Sequence, residues 1–207
     1  MRDQEYWESV YASKGDQDLS WTQREPIMSL SLISEVCPAG RVVDVGGGAS
    51  LLAERLVERG YLVTVLDISK TAIDRARNRI GDKASHIHWI EGDVTKNLQL
   101  GSFDVWHDRA AFHFLTASID RTDYTALLAR TVPVGGHVVI ATFALDGPEK
   151  CSGLAVRRYD GQTLAAELGP QFDLLKSVPE MHVTPWGGKQ SFQYSLLRRS
   201  LNAKVTA

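Results

Sequence analysis

Between Arg41 and Ser50 the chain reads Arg41-Val42-Val43-Asp44-Val45-Gly46-Gly47-Gly48-Ala49-Ser50: a valine-rich run, three glycines and two small residues. Residues 41–45 fit a buried strand, and residues 51–59 carry the apolar spacing of a helix that Gly60 closes. The same unit follows again. Residues 62–67 form a second β-branched run, and residues 69–80 a second helix, capped by Ser69 and closed by Gly81. Residues 86–91, 103–108 and 137–143 supply three more strands, with a helix around Tyr124, Leu127 and Leu128 before the last. This alternation predicts right-handed crossovers and a doubly wound α/β fold, a mainly parallel sheet with helices on both faces. The glycine turn then lies at the carboxyl edge of the sheet, where such folds bind ligands.

Outward from this core, 207 residues suit a single domain. Residues 1–40 read as an N-terminal helical flap, 41–143 as the cofactor-binding core, and 144–207 as a substrate-side loop with C-terminal strands. The flap opens on a helix with an aromatic face, Tyr6, Trp7 and Tyr11, and a second helix starts at Pro26. A long Gly- and Pro-bearing loop over 145–153 precedes a short helix at 163–168, strands at 172–178 and 190–197, and a frayed tail from Asn202. Hydrophobic residues at 43% and charged ones at 23% exclude a disordered chain, a collagen or a coiled-coil rod. A formal charge of -2 gives no basic field for nucleic acid. No apolar leader or bilayer-length run is expected, and Cys37 and Cys151 form no CxxC pair. A cytoplasmic protein without membrane or nucleic-acid partners is the expectation.

The acids around the glycine turn narrow the ligand. A dinucleotide fingerprint needs a third glycine where Leu51 stands, and Asp44 would repel a pyrophosphate, whereas it suits the ammonium of an amino acid. Asp67, at the end of the second strand, is placed to accept from two ribose hydroxyls. Asp93 is placed to accept from an exocyclic amine, with Val94 packing on a purine. Together with Gly46, Gly47 and Gly48 these positions describe a pocket for an adenosine joined to a zwitterionic amino acid. His86 and His88 share a strand face, but lack a third ligand, so no metal is expected.

With Asp44 to Ser50, Asp67, Glu91 to Val94, Phe103 to Arg109 and Val132 to Gly136 in this order, the chain resembles the class I S-adenosylmethionine-dependent methyltransferases. The resemblance implies a Rossmann-like sheet of seven strands, the last antiparallel, and S-adenosyl-L-methionine as cofactor. It adds Ile68 and His107 to the cofactor-binding set. Ser50 departs from the glycine common in that family. Tyr6-Trp7 through Trp21 is similar to the cover of methyltransferase-like protein lysine methyltransferases. Trp106 to Ala111 is similar to thiopurine, thiol, halide and tellurite methyltransferases. The expected reaction is methyl transfer to a small-molecule nucleophile through sulfur, another soft heteroatom or nitrogen. Protein lysine methylation is the alternative, and a sensor that holds the cofactor or a dinucleotide without turnover is a third reading. Trp21 either faces the sulfonium with its ring or packs for stability. Asp108, Arg109 and His113 are the catalytic candidates, with His113 or Asp108 as base, unless Asp108 and Arg109 form a structural ion pair. Cys151, His182, Trp186 and Gln190 are placed at the same mouth.

Overall fold

The computed structural model describes residues 4–200; residues 1–3 and 201–207, including the tail expected from Asn202, lie outside the described residues. In chain order the elements are α1 (Gln4–Ser13), α2 (Ile27–Val36), β1 (Arg41–Val45), α3 (Leu52–Glu58), β2 (Leu62–Asp67), α4 (Lys70–Ile80), β3 (Ile87–Glu91), β4 (Val105–Arg109), α5 (Ser118–Thr131), β5 (His137–Phe143), α6 (Gly161–Leu168), β6 (Phe172–Val183) and β7 (Lys189–Arg199). The strands form one seven-stranded sheet in the order β3-β2-β1-β4-β5-β7-β6. Pairings from β3 to β5 are parallel, and β7 runs antiparallel to both neighbours. The final strand is the antiparallel one, as the resemblance implied.

Alternate residues of the central strands feed two cores. Val42, Val63, Val65, Val105 and Val139 face Trp7, Leu30, Ile33, Leu52 and Leu56 on the side of α1, α2 and α3. Val43, Leu66, Trp106, Val138 and Ile140 face Tyr124, Leu127 and Leu128 of α5 and Leu164 and Leu168 of α6. Burial on both faces explains why these strands read as continuous apolar runs rather than alternating ones.

Ladder bonds carry the alignment beyond the strands. Gly46 N donates to Leu66 O at 2.7 Å, Gly92 N to Asp67 O at 2.9 Å, and Ala110 N to Ala141 O at 2.9 Å. The turns after β1, β3 and β4 are therefore held side by side, with the order reversing between β1 and β4, which is where doubly wound sheets open a crevice.

Two differences from the sequence reading have local causes. β6 continues to Val183, so His182 stands on a strand and not in a loop. Pro179 is accommodated because β6 is a sheet edge, where a missing N–H costs no ladder bond. The loop over 145–153 holds part of a small antiparallel ribbon, Lys150–Cys151 with Leu154–Ala155, turned by Ser152 and Gly153 at φ 48° and 77°.

Candidate active site

The glycine turn is shaped by sterics. Gly46 has φ +65°, and a side chain there would put its Cβ 2.9 Å from Ala111 Cβ. At Gly48 a Cβ would meet Ala72 Cβ at 2.5 Å and Asp67 Oδ2 at 2.6 Å, so only glycine lets β1, α4 and the acid of β2 approach this closely. Gly48 N instead donates to Asp67 Oδ2 at 2.9 Å, while Asp67 Oδ1 accepts from Ser69 N at 2.8 Å. Ser50, the departure from glycine, accepts from Leu52 N at 3.0 Å and so serves the first turn of α3.

Asp44 is 2% exposed and its carboxylate is used on one side only. Oδ1 lies 2.7 Å from His107 Nδ1, and His107 Nε2 lies 2.9 Å from Ser29 Oγ on α2. Oδ2 is buried without a hydrogen-bond partner, beside the Gly47 backbone. A buried carboxylate oxygen left open in this way fits a cationic ligand group. The neighbouring opening, about 920 Å³, is bordered by Asp44, Gly46, Gly47, His107 and Arg109.

A second cavity of about 650 Å³ shares Gly46, Tyr11, Trp21 and Arg109 with the first. Asp67, Ile68, Gly92 and Val94 wall it on the side of β2 and β3. On the β4 side it meets Ala110, Ala111 and Phe114, with Trp7 and Cys151 completing the wall. Trp7 packs edge-to-face on Phe114 at 4.9 Å and on Trp21 at 6.1 Å, so the N-terminal segment gives the cavity an aromatic wall.

The structure therefore brings Trp21, Asp44, Gly46, Gly47, Asp67, Ile68, Val94 and His107 around adjoining openings, with Gly48 bonded to Asp67 but lining neither. Asp93 turns elsewhere: its Oδ1 accepts from Thr95 N at 2.8 Å and Thr95 Oγ1 at 2.7 Å, closing a turn, and it lines neither cavity. Asp108 is fully buried and accepts from Ala111 N, Phe112 N and Tyr124 Oη at 2.9 to 3.2 Å. Burial pushes its pKa up to about 6 against those bonds, and its position fixes the turn after β4. His113 is also fully buried; Nδ1 accepts from Phe143 N at 3.4 Å, and burial with the Arg109 charge lowers its pKa to about 3. Neither Asp108 nor His113 lines a cavity, and Asp108 binds Tyr124 and backbone amides where an ion pair with Arg109 was one expectation. Arg109 does line both, and is held by Tyr194 Oη on β7 at 2.9 Å and Trp21 O at 2.8 Å.

Of the expected mouth residues, Cys151 lines the cavity and His182 holds Ser20 O at 2.7 Å, whereas Trp186 is 61% exposed in the β6–β7 turn. Gln190 pairs with His182 across β6 and β7. Sequence reasoning missed Ser29, Phe114 and Tyr194, and had Trp7, whose ring lines the cavity, within the aromatic helix of the cover. Ser29 left one signal, a polar residue on the otherwise apolar buried face of α2.

The cradle fits S-adenosylmethionine through Asp44 Oδ2, the glycine turn and Asp67, and comparison with known proteins agrees. Residues 42–136 match a family described as "Methyltransferase domain". An eEF1A lysine and N-terminal methyltransferase of Danio rerio is 28% identical over 68% of this chain, which spans 21% of that protein's length. An uncharacterized methyltransferase of Schizosaccharomyces pombe is 30% identical over 50% of this chain and 71% of its own. The N-methyltransferase NodS from Bradyrhizobium japonicum WM9, solved in complex with S-adenosyl-l-homocysteine, shares the fold at TM-score 0.72 and 17% identity, over 96% of this chain and 99% of that one. The sheet order, the glycine cradle beneath an open carboxylate and these likenesses together show that the chain belongs to the class I S-adenosylmethionine-dependent methyltransferases.

Proposed function

We propose that the protein transfers a methyl group from S-adenosylmethionine to a small-molecule nucleophile through sulfur, another soft heteroatom or nitrogen. The observation that carries this reading is the lining of the cavity, which is mostly apolar and aromatic with Trp7, Trp21 and Phe114 around it, where an acidic trough would suit a protein lysine. The cofactor supplies a methyl carbon made electrophilic by its sulfonium. In this assignment Asp44 Oδ2 receives the ammonium, and His107 with Ser29 holds Asp44 in place. Asp67 accepts from the ribose hydroxyls, since two backbone N–H groups leave a carboxylate with acceptor capacity to spare. Ile68, Gly92 and Val94 take the base, with Asp93 shaping that turn rather than reading the amine. Trp21 lies over the reacting end, where its ring excludes water and faces positive charge favourably. Asp108 and His113 are assigned to the architecture of the site and not to proton transfer, because both are sealed from the cavities.

Methyl transfer by displacement asks mainly for alignment and exclusion of water, which this chamber supplies. Among the described residues no helix is long and apolar enough to cross a membrane, and both cysteines are free and buried, which supports a cytoplasmic setting. The charge of -2 supports acceptors other than nucleic acid. Incubation with methyl-labelled cofactor and cell extract tests the assignment. Label in the small-molecule fraction is expected. Label confined to protein would transfer the assignment to lysine methylation, and cofactor binding with no labelled product to a sensor.

A further inference from the structure

Arg109 is fastened more firmly than a surface cation. Its Nε donates to Tyr194 Oη at 2.9 Å, its Nη1 to Trp21 O at 2.8 Å, and its guanidinium lies 4.3 Å from the Phe192 ring centre. The side chain is only 9% exposed, yet it borders both cavities. Nη2 is buried without a hydrogen-bond partner, and the carboxylate paired with it, Glu180 Oε2, stays 3.9 Å away while lying 3.5 Å from Gln23 Nε2. A buried guanidinium donor left open is costly, and an anionic ligand atom is the group that satisfies it.

Beyond the cradle acid Asp67, the same chamber offers no carboxylate or imidazole to an acceptor. Around Arg109 the titratable groups are Tyr11, Glu180, His182, Tyr194, Cys151 and His113. Of these Tyr11 and Cys151 border the apolar cavity; the first is a phenol, itself a proton donor, and burial pushes the thiol of the second up to about 11. Asp67, on the β2 side, is committed to the cradle. A basic aliphatic amine, with a pKa of about 10.4, would arrive as an ammonium, without a lone pair and repelled by the always-charged arginine. A thiol, near about 8.5, loses its proton to water far more readily than a phenol near about 10.

Resting on the methyltransferase reading, we infer that the acceptor is an apolar or aromatic thiol, taken as its thiolate and paired with Arg109. The proton leaves to bulk water before binding. The thiolate sulfur forms the new S–C bond as the methyl carbon's bond to the sulfonium breaks, with that electron pair staying on the cofactor sulfur. An anion and a cation thus become two neutral thioethers. Large, polarizable sulfur also packs well against the rings of Trp7 and Phe114.

The test uses the full chain saturated with S-adenosylhomocysteine and an aromatic thiol coloured only as its anion, one pH unit below its free pKa. Binding is expected to raise the thiolate absorbance, and Arg109→Met to abolish the rise while Arg109→Lys keeps part of it. Because Arg109→Met also loosens Trp21, a second measurement uses the wild type alone. Across a series of thiols, the pH at which kcat/KM levels off is expected to follow each thiol's own pKa. Thiol bound in its neutral form, a plateau fixed by a protein group, or basic amines methylated as fast as thiols at pH 7 would overturn the inference. Failure of S-adenosylhomocysteine to raise the melting temperature would instead overturn the methyltransferase reading beneath it.

Discussion

Asp44 uses one side of its carboxylate within the protein: Oδ1 belongs to His107, and Oδ2, buried without a hydrogen-bond partner, is the atom we propose for the cofactor ammonium. Asp44→Asn should therefore preserve the fold and weaken S-adenosylhomocysteine binding at least about tenfold, the loss of one charge-assisted hydrogen bond, read by calorimetry. Asp67 adds a pH signature. Burial pushes its pKa up to about 6, opposed by the amides of Ser69 and Gly48 and reinforced by Asp44 and Glu8. The folded value lies above the ordinary carboxyl value of about 3.9, so the native protein favours the protonated form. Stability from this group is complete below about pH 4 and is lost as pH rises through 6. Ribose recognition needs the carboxylate and runs the other way: affinity for S-adenosylhomocysteine should hold above pH 7 and fall about tenfold per pH unit below 6. Asp67→Asn should bind weakly with no such slope, and a wild-type affinity flat from pH 5 to 8 would exclude Asp67 as the ribose acceptor. These acids were legible in the chain because strand ends and glycine turns announce their own position. Arg109 and His107 were legible as site candidates at a strand end, but not what holds them. The partners that define them, Trp21 and Ser29, lie 88 and 78 residues away, and no local pattern links them.

At the level of elements, reading succeeded where local chemistry sets the boundary. Ser69 accepts from Ala72 N at 3.1 Å and caps α4, and Gly81 closes it at φ +64°. Both roles follow from residue type alone. Reading fell short where tertiary context decides. The long β6–β7 hairpin depends on pairing that Pro179 tolerates only because its strand is an edge, and the ribbon after β5 consists of two-residue strands below any periodic signal. The α4 cap permits a prediction that separates stability from binding. Ser69→Ala removes the Oγ acceptor but leaves the Ser69 N–H on Asp67 Oδ1. Stability should drop by about 1 kcal/mol, lowering Tm by roughly 2–4 °C for a domain of this size, with cofactor affinity unchanged within about twofold. A loss of affinity larger than the loss of stability would show that Asp67 is aligned through the helix cap and not through its backbone bonds.

On the scale of the whole molecule, the site is assembled by folding the chain's beginning over the sheet edge. Glu8 accepts from Thr71 N at 3.2 Å at the start of α4, Arg75 Nη1 donates to Lys14 O at 2.6 Å, and Tyr6 Oη donates to Ser152 O on the ribbon. Arg109 and His182 hold Trp21 O and Ser20 O from the other side. Trp7 and Tyr11 wall the cavity from this cover, and we propose that ligand entry moves it. The Glu8 carboxyl sits below its ordinary range: burial raises it, and the hydrogen bonds from Thr71 and the backbone of Lys70 outweigh that. A depressed acid contributes stability above the ordinary carboxyl range and loses it as pH falls. Glu8→Ala removes the contact at the α4 N-terminus, where negative charge is favoured and a half-exposed carboxylate contributes up to about 1 kcal/mol. Amide exchange in α1 should then rise several-fold while exchange in β1, β4 and β5 stays at wild-type rates, because the cover opens as a unit without unfolding the sheet. Saturating S-adenosylhomocysteine should slow exchange in α1 and over residues 150–155 together. Protection confined to the turns after β1 and β2, with α1 unaffected, would mean that the cofactor enters without moving the cover and that only the acceptor meets Trp7.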